Sequence, residues 1–226
     1  MRASTKVPGM TTTVSVPIPL AAEERVLLRG ADWHLYESVL EQIGERRVFV
    51  TFDGESLEIM SPSPEHDGAS EALGRIVHIV TEESRTPVRS LGTTTLRKQA
   101  LSQGLEPDKC FYLKNEPSIR GKKRLDLSRV PPPDLAIEVE ITRRLLDRKA
   151  ISAQLGVPEL WTYDGKRTTI LALSRGKYVP RDRSVSLPLL TPRTLDKLLA
   201  LFEPEVDETT WALSVRAWVR GHVSGD

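Results

Sequence analysis

Only one cysteine, Cys110, occurs among the 226 residues. It cannot close an intramolecular disulfide, and it excludes a Cys-rich zinc site. Charge of one sign is also missing: 32 Lys and Arg face 31 Asp and Glu, a formal net charge of +1. That balance excludes nucleic-acid binding by bulk positive charge, as in histone-like proteins or ribosomal tails, but leaves room for a local basic groove. Long apolar runs are lacking as well. A run such as Ile76-Val77-His78-Ile79-Val80 falls far short of the roughly 20 residues that a membrane-spanning helix needs. Residues 11–22 are interrupted by Pro17 and Pro19, which makes a poor signal peptide. The expectation is a reducing, cytoplasmic setting with no membrane partner. What is present, 39% hydrophobic and 28% charged residues, is the composition of a folded chain long enough for one domain with a sizeable core.

Residues 1–21, rich in Thr and Pro, read as an extended arm, and residues 22–226 as one domain. Trp33, Tyr36, Val39, Leu40 and Ile43 recur at helical spacing behind Asp32, a candidate N-cap. Two β-prone runs, 47–52 and 56–60, flank Asp53-Gly54, the strongest short-range hairpin signal. A helix is expected over 67–83, strands over 88–98 and 109–113, and a polar loop over 115–129. The strand 134–142 follows Pro131-Pro132-Pro133. A helix over 143–155 ends at Gly156, a second hairpin covers 159–173, and two helices follow at 194–201 and 209–219. The expected architecture is a mixed, mainly antiparallel sheet flanked by helices.

Strand 134–142 carries the chemistry. Leu135, Ile137, Val139 and Ile141 share one face; Asp134, Ala136, Glu138 and Glu140 share the other. Three carboxylates on one face of an apolar strand are costly unless something cationic compensates them. Mg²⁺, commonly held by one or two carboxylates plus substrate phosphates, is a natural compensator. Asp108 opens the preceding strand, and antiparallel pairing sets the start of one strand beside the end of the next. Asp108 then falls near Glu138 and Glu140, whereas Asp134 lies roughly 14 Å along the strand from Glu138. Asp108 with Glu138 is the better ion-binding pair. A solvated acidic face paired with the basic residues of 143–149 is the competing reading.

Several ordered motifs resemble the Uma family of restriction-endonuclease-like nucleases. They are Glu106-Pro107-Asp108, Pro133-Asp134-Leu135-Ala136-Ile137-Glu138-Val139 and Leu155-Gly156-Val157-Pro158-Glu159-Leu160-Trp161, with Met60-Ser61-Pro62-Ser63-Pro64-Glu65-His66 and Ser90-Leu91-Gly92-Thr93-Thr94-Thr95. The similarity runs from about residue 40 to 173. It implies the PD-(D/E)XK superfamily: an αβββαβ core in a restriction-endonuclease-like α/β fold, a metal site holding Mg²⁺ or Mn²⁺, and phosphodiester hydrolysis of nucleic acid, DNA in the first instance. Asp108 then corresponds to the metal-binding aspartate and Glu138 to the acidic residue of the third strand, with Glu140 as a further candidate ligand. The superfamily lysine is displaced here, since Glu140 stands where it normally lies. Where the family moves that lysine into the next helix, the matching position is Arg148, with Lys149 beside it. On a helix over 143–155, Lys149 projects into the arc of Leu146 and Ala150 and Arg148 lies outside it. Both stay candidates for orienting water or stabilising the pentavalent state.

Glu58, Glu65, His66 and Asp134 are accessory candidates, although a helix N-terminus explains Glu65 equally well. His78 reads as a partly buried structural histidine. The cluster Arg120, Lys122, Lys123 and Arg124 is a candidate phosphate-contacting patch, with a solvated loop as the default. Superfamily members that cut both strands often act as dimers, so a homodimer is a candidate assembly. The rival functional reading is a nuclease-fold protein that has lost catalysis and binds nucleic acid or a protein partner, motivated by Glu140 and Arg148. The net charge of +1 thus hides an acidic region over 55–83 and basic ones over 114–129 and 143–149.

Overall fold

The computed structural model describes residues 23–44, 46–122, 127–202 and 205–223. The expected arm over 1–21, and Lys123 and Arg124 of the basic cluster, lie outside the described residues.

Helix α1 (Trp33–Ile43) starts where Asp32 accepts a hydrogen bond from Leu35 N, satisfying one of the four orphan donors of a helix start. The Asp-Gly signal yields the antiparallel hairpin β2 (Phe49–Phe52) and β3 (Ser56–Ser61). Asp53 Oδ1 accepts from Glu55 N and Ser56 N, and Gly54 takes a φ of +106° that favours glycine. A preceding strand, β1 (Glu24–Arg29), pairs with β3. Helix α2 (Pro64–Glu83) begins three residues before the expected start, because Ser63 caps it through His66 N and Pro64 occupies the first turn.

The run 88–98, expected as one strand, is two. β4 (Arg89–Gly92) and β5 (Leu96–Lys98) belong to different sheets. Gly92 at φ +58° and the bond from Thr94 Oγ1 to Leu91 O turn the chain between them. β6 (Gln103–Leu105), β7 (Lys109–Tyr112) and β8 (Leu135–Val139) follow, with a short helix α3 (Glu116–Ile119) inside the expected loop. Helix α4 covers Arg148–Leu155, then come β9 (Glu159–Tyr163), β10 (Thr168–Ser174), β11 (Lys177–Arg181), α5 (Pro192–Leu199) and α6 (Glu208–Val223).

Among the described residues the strands form two sheets, not the single sheet expected. One runs β1-β3-β2-β6-β5, the other β11-β10-β9-β8-β7-β4. Every pairing is antiparallel except β8 with β9. The mixed, mainly antiparallel, helix-flanked class is as expected, and the order α2–β4–β7–β8–α4–β9 reads αβββαβ with β5, β6 and the short α3 inserted.

Leu135, Ile137 and Val139 of β8 join the largest core, under α2, α5 and α6. Ala136 points the other way, into a second core with Ile151 and Leu155 of α4 and Leu96 and Leu105 of the first sheet. α4 therefore wedges between the two sheets. A third core packs α1 on β2 and β3.

Cys110 is fully buried, and burial pushes its thiol up to about 12. Since the thiolate is the reactive form, the native protein should leave Cys110 unlabelled by a disulfide reagent at pH 8. Full labelling should follow unfolding in urea; rapid labelling of native protein would contradict this burial.

Candidate active site

The register Lys109↔Ile137, Cys110↔Ala136 and Phe111↔Leu135, carried one step further, sets Asp108 opposite Glu138. Both are almost wholly buried, and Glu138 shares with Ala136 the face of β8 that meets α4. Asp108 Oδ2 accepts from Val139 N at 2.5 Å and lies 3.4 Å from His66 Nε2 and 3.5 Å from Arg144 Nη2. Asp108 Oδ1 is buried with no hydrogen-bond partner among the described residues. Desolvation raises the Asp108 carboxyl, but His66 and Arg144 together outweigh it and hold the group below the ordinary carboxylate range. Desolvation and the adjacent Asp108 outweigh Arg148 and Arg144 at Glu138 and hold it above that range. Two carboxylates sharing one site are pushed apart in this way.

Arg148 binds Glu138 with a fork: Nε is 3.0 Å from Oε2 and Nη2 2.9 Å from Oε1. Nη1 donates to Thr51 Oγ1 at 2.5 Å and Nη2 also to Glu106 O at 2.6 Å. The guanidinium thus ties α4 to β2, to β8 and to the segment entering β7. Arg144, in the irregular segment between β8 and α4, approaches both acids: Nη2 is 3.0 Å from Glu138 Oε2 and donates to Val139 O. Glu58 of β3 accepts from Arg25 at 2.5 Å and from Leu146 N at 3.1 Å, so the first sheet clamps the segment that bears Arg144.

The expected burial of the two α4 cations is reversed. Arg148 is 3% exposed, while the Lys149 side chain is 44% exposed and its Nζ lies 3.8 Å from Glu140. The helix begins at Arg148, not 143, capped by Asp147 through Ala150 N. Residues 143–147 therefore do not share the helical arc used to orient Lys149. The buried stripe of α4 is Arg148, Ile151, Ser152 and Leu155, at i, i+3, i+4 and i+7. The acidic face of β8 does meet basic residues of 143–149, but in the interior, not in solvent.

His66 is brought against Asp108, and Glu58 lies one residue network away through Leu146 and Arg25. Glu65 is exposed in the first turn of α2. Glu140 lies past the end of β8, partly exposed, between Arg144 and Lys149. Asp134 serves a turn: its oxygens accept from Leu113 N, Asn115 N and Asn115 Nδ2. His78 is half-buried, edge-on to Phe111. Arg144, Thr51 and Arg25 were not anticipated as site residues. The available signal for Arg144 was the Arg143-Arg144 pair directly after the acidic strand; for Thr51 and Arg25, on other strands, there was none.

A groove of about 1000 Å³ is lined by Arg89, Arg97 and Lys122 together with Glu37 and Glu41; among the described residues it contains none of the centre's own side chains and connects to it only through Thr95. Thr95 donates to Glu106 Oε1 and Val50 N to Glu106 Oε2, and Glu106 O accepts from Arg148. Arg120, exposed, is paired with Glu116.

Mg²⁺ and Mn²⁺ take hard oxygen donors, commonly one or two carboxylates with the rest from substrate and water. The buried, unpartnered Asp108 Oδ1 beside a second carboxylate meets that requirement. No group of three or more His, Cys, Asp or Glu side chains suited to a metal ion occurs among the described residues, so the fit rests on Asp108 and Glu138. No helix among them is long and apolar enough to cross a membrane.

A crystal structure titled as that of "a putative nuclease belonging to DUF820", from Anabaena variabilis ATCC 29413, is similar to this chain at 12% identity and a TM-score of 0.48, over 72% of this chain and 97% of that one. No curated protein matches. The model of the Uma2 family, described as "Putative restriction endonuclease", matches residues 36–201. With that span well over half of its 226 residues, the chain belongs to the Uma2 family.

Proposed function

We propose that the Asp108–Glu138 centre hydrolyses phosphodiester bonds in nucleic acid, with DNA as the substrate and Mg²⁺ or Mn²⁺ as cofactor. The observation that carries the reading is the pairing of two buried carboxylates across adjacent strands, one with an unpartnered oxygen. Asp108, held ionised by His66 and Arg144, and Glu138 would hold the ion. Bound there, the ion would supply Lewis-acid activation of water and offset charge on the scissile phosphate. Arg148, saturated by Glu138, Thr51 and Glu106 O, acts as a positioning residue that fixes the Glu138 carboxylate. Lys149, exposed near Glu140, would meet the substrate phosphate. Arg120 and Lys122 would contact the nucleic-acid backbone, whose affinity falls with salt. Purified protein should nick supercoiled DNA with Mg²⁺ or Mn²⁺, and Asp108→Ala should reduce the rate on the order of 100-fold or more. No cleavage with either ion, or cleavage that survives Asp108→Ala, rejects the reading.

One observation favours a second reading, nucleic-acid binding without catalysis: the fork from Arg148 occupies both Glu138 oxygens, and a guanidinium is a poor general base. Salt-dependent DNA affinity without any Mn²⁺ heat that Glu138→Ala abolishes would support it.

A further inference from the structure

The two buried arginines of the site are not equivalent. Arg148 has a partner for each guanidinium nitrogen: Glu138, Thr51 and Glu106 O. The Arg144 side chain is 6% exposed, yet its Nε and Nη1 make no hydrogen bond among the described residues. Nε lies 3.5 Å from Glu140 Oε1. Buried donors are normally satisfied, so an unsatisfied pair on a buried cation calls for an explanation. Nη2, by contrast, is overcommitted. It lies 3.0 Å from Glu138 Oε2 and 3.5 Å from Asp108 Oδ2, and it donates to Val139 O. One nitrogen therefore bridges the two carboxylates.

We propose that Arg144 is a resident cation that holds the position between Asp108 and Glu138 and competes with a divalent ion for it. The inference rests on the reading of those two acids as the ion-binding pair. Charge explains the competition. Two carboxylates beside two guanidiniums, with His66 3.4 Å from Asp108, carry no net negative charge, and adding a divalent ion to that buried site leaves an excess of at least two positive charges. Departure of Arg144 relieves part of that excess. Arg144 is the arginine whose side chain can leave: only its Nη2 is hydrogen-bonded among the described residues, although Glu58 holds its segment through Leu146 N, whereas every guanidinium nitrogen of Arg148 has a partner. Once released, its planar fork has free donors in the geometry that suits a phosphodiester anion. Entry of the ion and capture of the substrate phosphate would then be coupled through one side chain.

Calorimetric titration of Mn²⁺, without DNA, tests the competition directly. Arg144→Gln should bind Mn²⁺ at least about tenfold more tightly than the wild type, and adding Asp108→Asn should abolish the gain. A second measurement needs no variant: saturating Mn²⁺ should accelerate phenylglyoxal modification of Arg144, followed by peptide mass spectrometry. A folded Arg144→Gln protein that binds Mn²⁺ no more tightly than wild type overturns the proposal. So does Arg144 reactivity that Mn²⁺ leaves unchanged, or the absence of Mn²⁺ binding in both proteins. A protein that gains Mn²⁺ affinity on losing Arg144 but cuts no DNA supports the competition while rejecting the hydrolase reading.

Discussion

Arg148→Met is expected to lower the unfolding free energy by about 3–5 kcal/mol, the usual cost of removing one partner from a buried ion pair. Methionine matches the length of the arginine stem, so packing against α4 changes little. What changes is electrostatic: Glu138, 1% exposed, loses two charge-assisted hydrogen bonds, and Thr51 Oγ1 and Glu106 O lose a donor. Arg144 remains 3.0 Å from Glu138 Oε2 but offers it a single nitrogen, shared with Asp108, in place of the fork. Adding Glu138→Gln removes the stranded charge and should recover more than half of the loss. Urea unfolding at pH 7 of the wild type, both single variants and the double variant reads the coupling. If Arg148→Met costs less than about 1 kcal/mol, the pair is not the buried lock described here.

The partnership of Asp108 and Glu138 was legible in the sequence, because antiparallel pairing and a period of two leave little freedom once both strands are recognised. The orientation of Arg148 was not, and the reason is a helix boundary. Leu145 and Leu146 extend an apolar rhythm backward from Ile151 and invite a helix that starts too early. In the structure Leu145 is 48% exposed and Asp147 caps the helix. Asp147 was itself the available start signal, three residues ahead of Ala150. Shifting the start by five residues exchanges the roles of Arg148 and Lys149.

The division into two sheets was less legible still. Residues 88–98 read as one β-prone run, yet Gly92 in the left-handed region redirects the chain, so a single run serves both sheets. β6, three residues long and containing a glycine, carries no strand signal of its own. It is a strand because its neighbours leave it no other place. That crossing also builds the site: the segment from β6 to β7 carries Asp108 and Glu106, and Glu106 accepts from Val50 N of the first sheet, from Thr95 and from Arg148.

Gly104, the middle residue of β6, follows from the same geometry and should tolerate no side chain. It pairs with Phe52 on one side and Arg97 on the other. A methyl group there would collide with Tyr36 Oη and lie 2.6 Å from its Cζ. The ring has nowhere to retreat. Tyr36 is fully buried, stacked on Phe52 at 5.3 Å between centroids and held by Trp33 at 5.2 Å. Overpacking a rigid core costs about 1–3 kcal/mol, and a clash with a confined aromatic ring belongs at or above the upper end. Gly104→Ala should therefore lose about 3 kcal/mol or more, seen as a shift of the urea midpoint. Tyr36→Phe offers an internal control. The Tyr36 hydroxyl is buried without a hydrogen-bond partner among the described residues, so removing it should be neutral or stabilising, by up to about 1 kcal/mol. Combined with Gly104→Ala it should restore only part of the loss, since Cζ remains too close. A Gly104→Ala protein within about 0.5 kcal/mol of wild type would mean that Tyr36 is free to move. The first sheet would then be too loosely packed to hold Glu106 and Thr51 against Arg148.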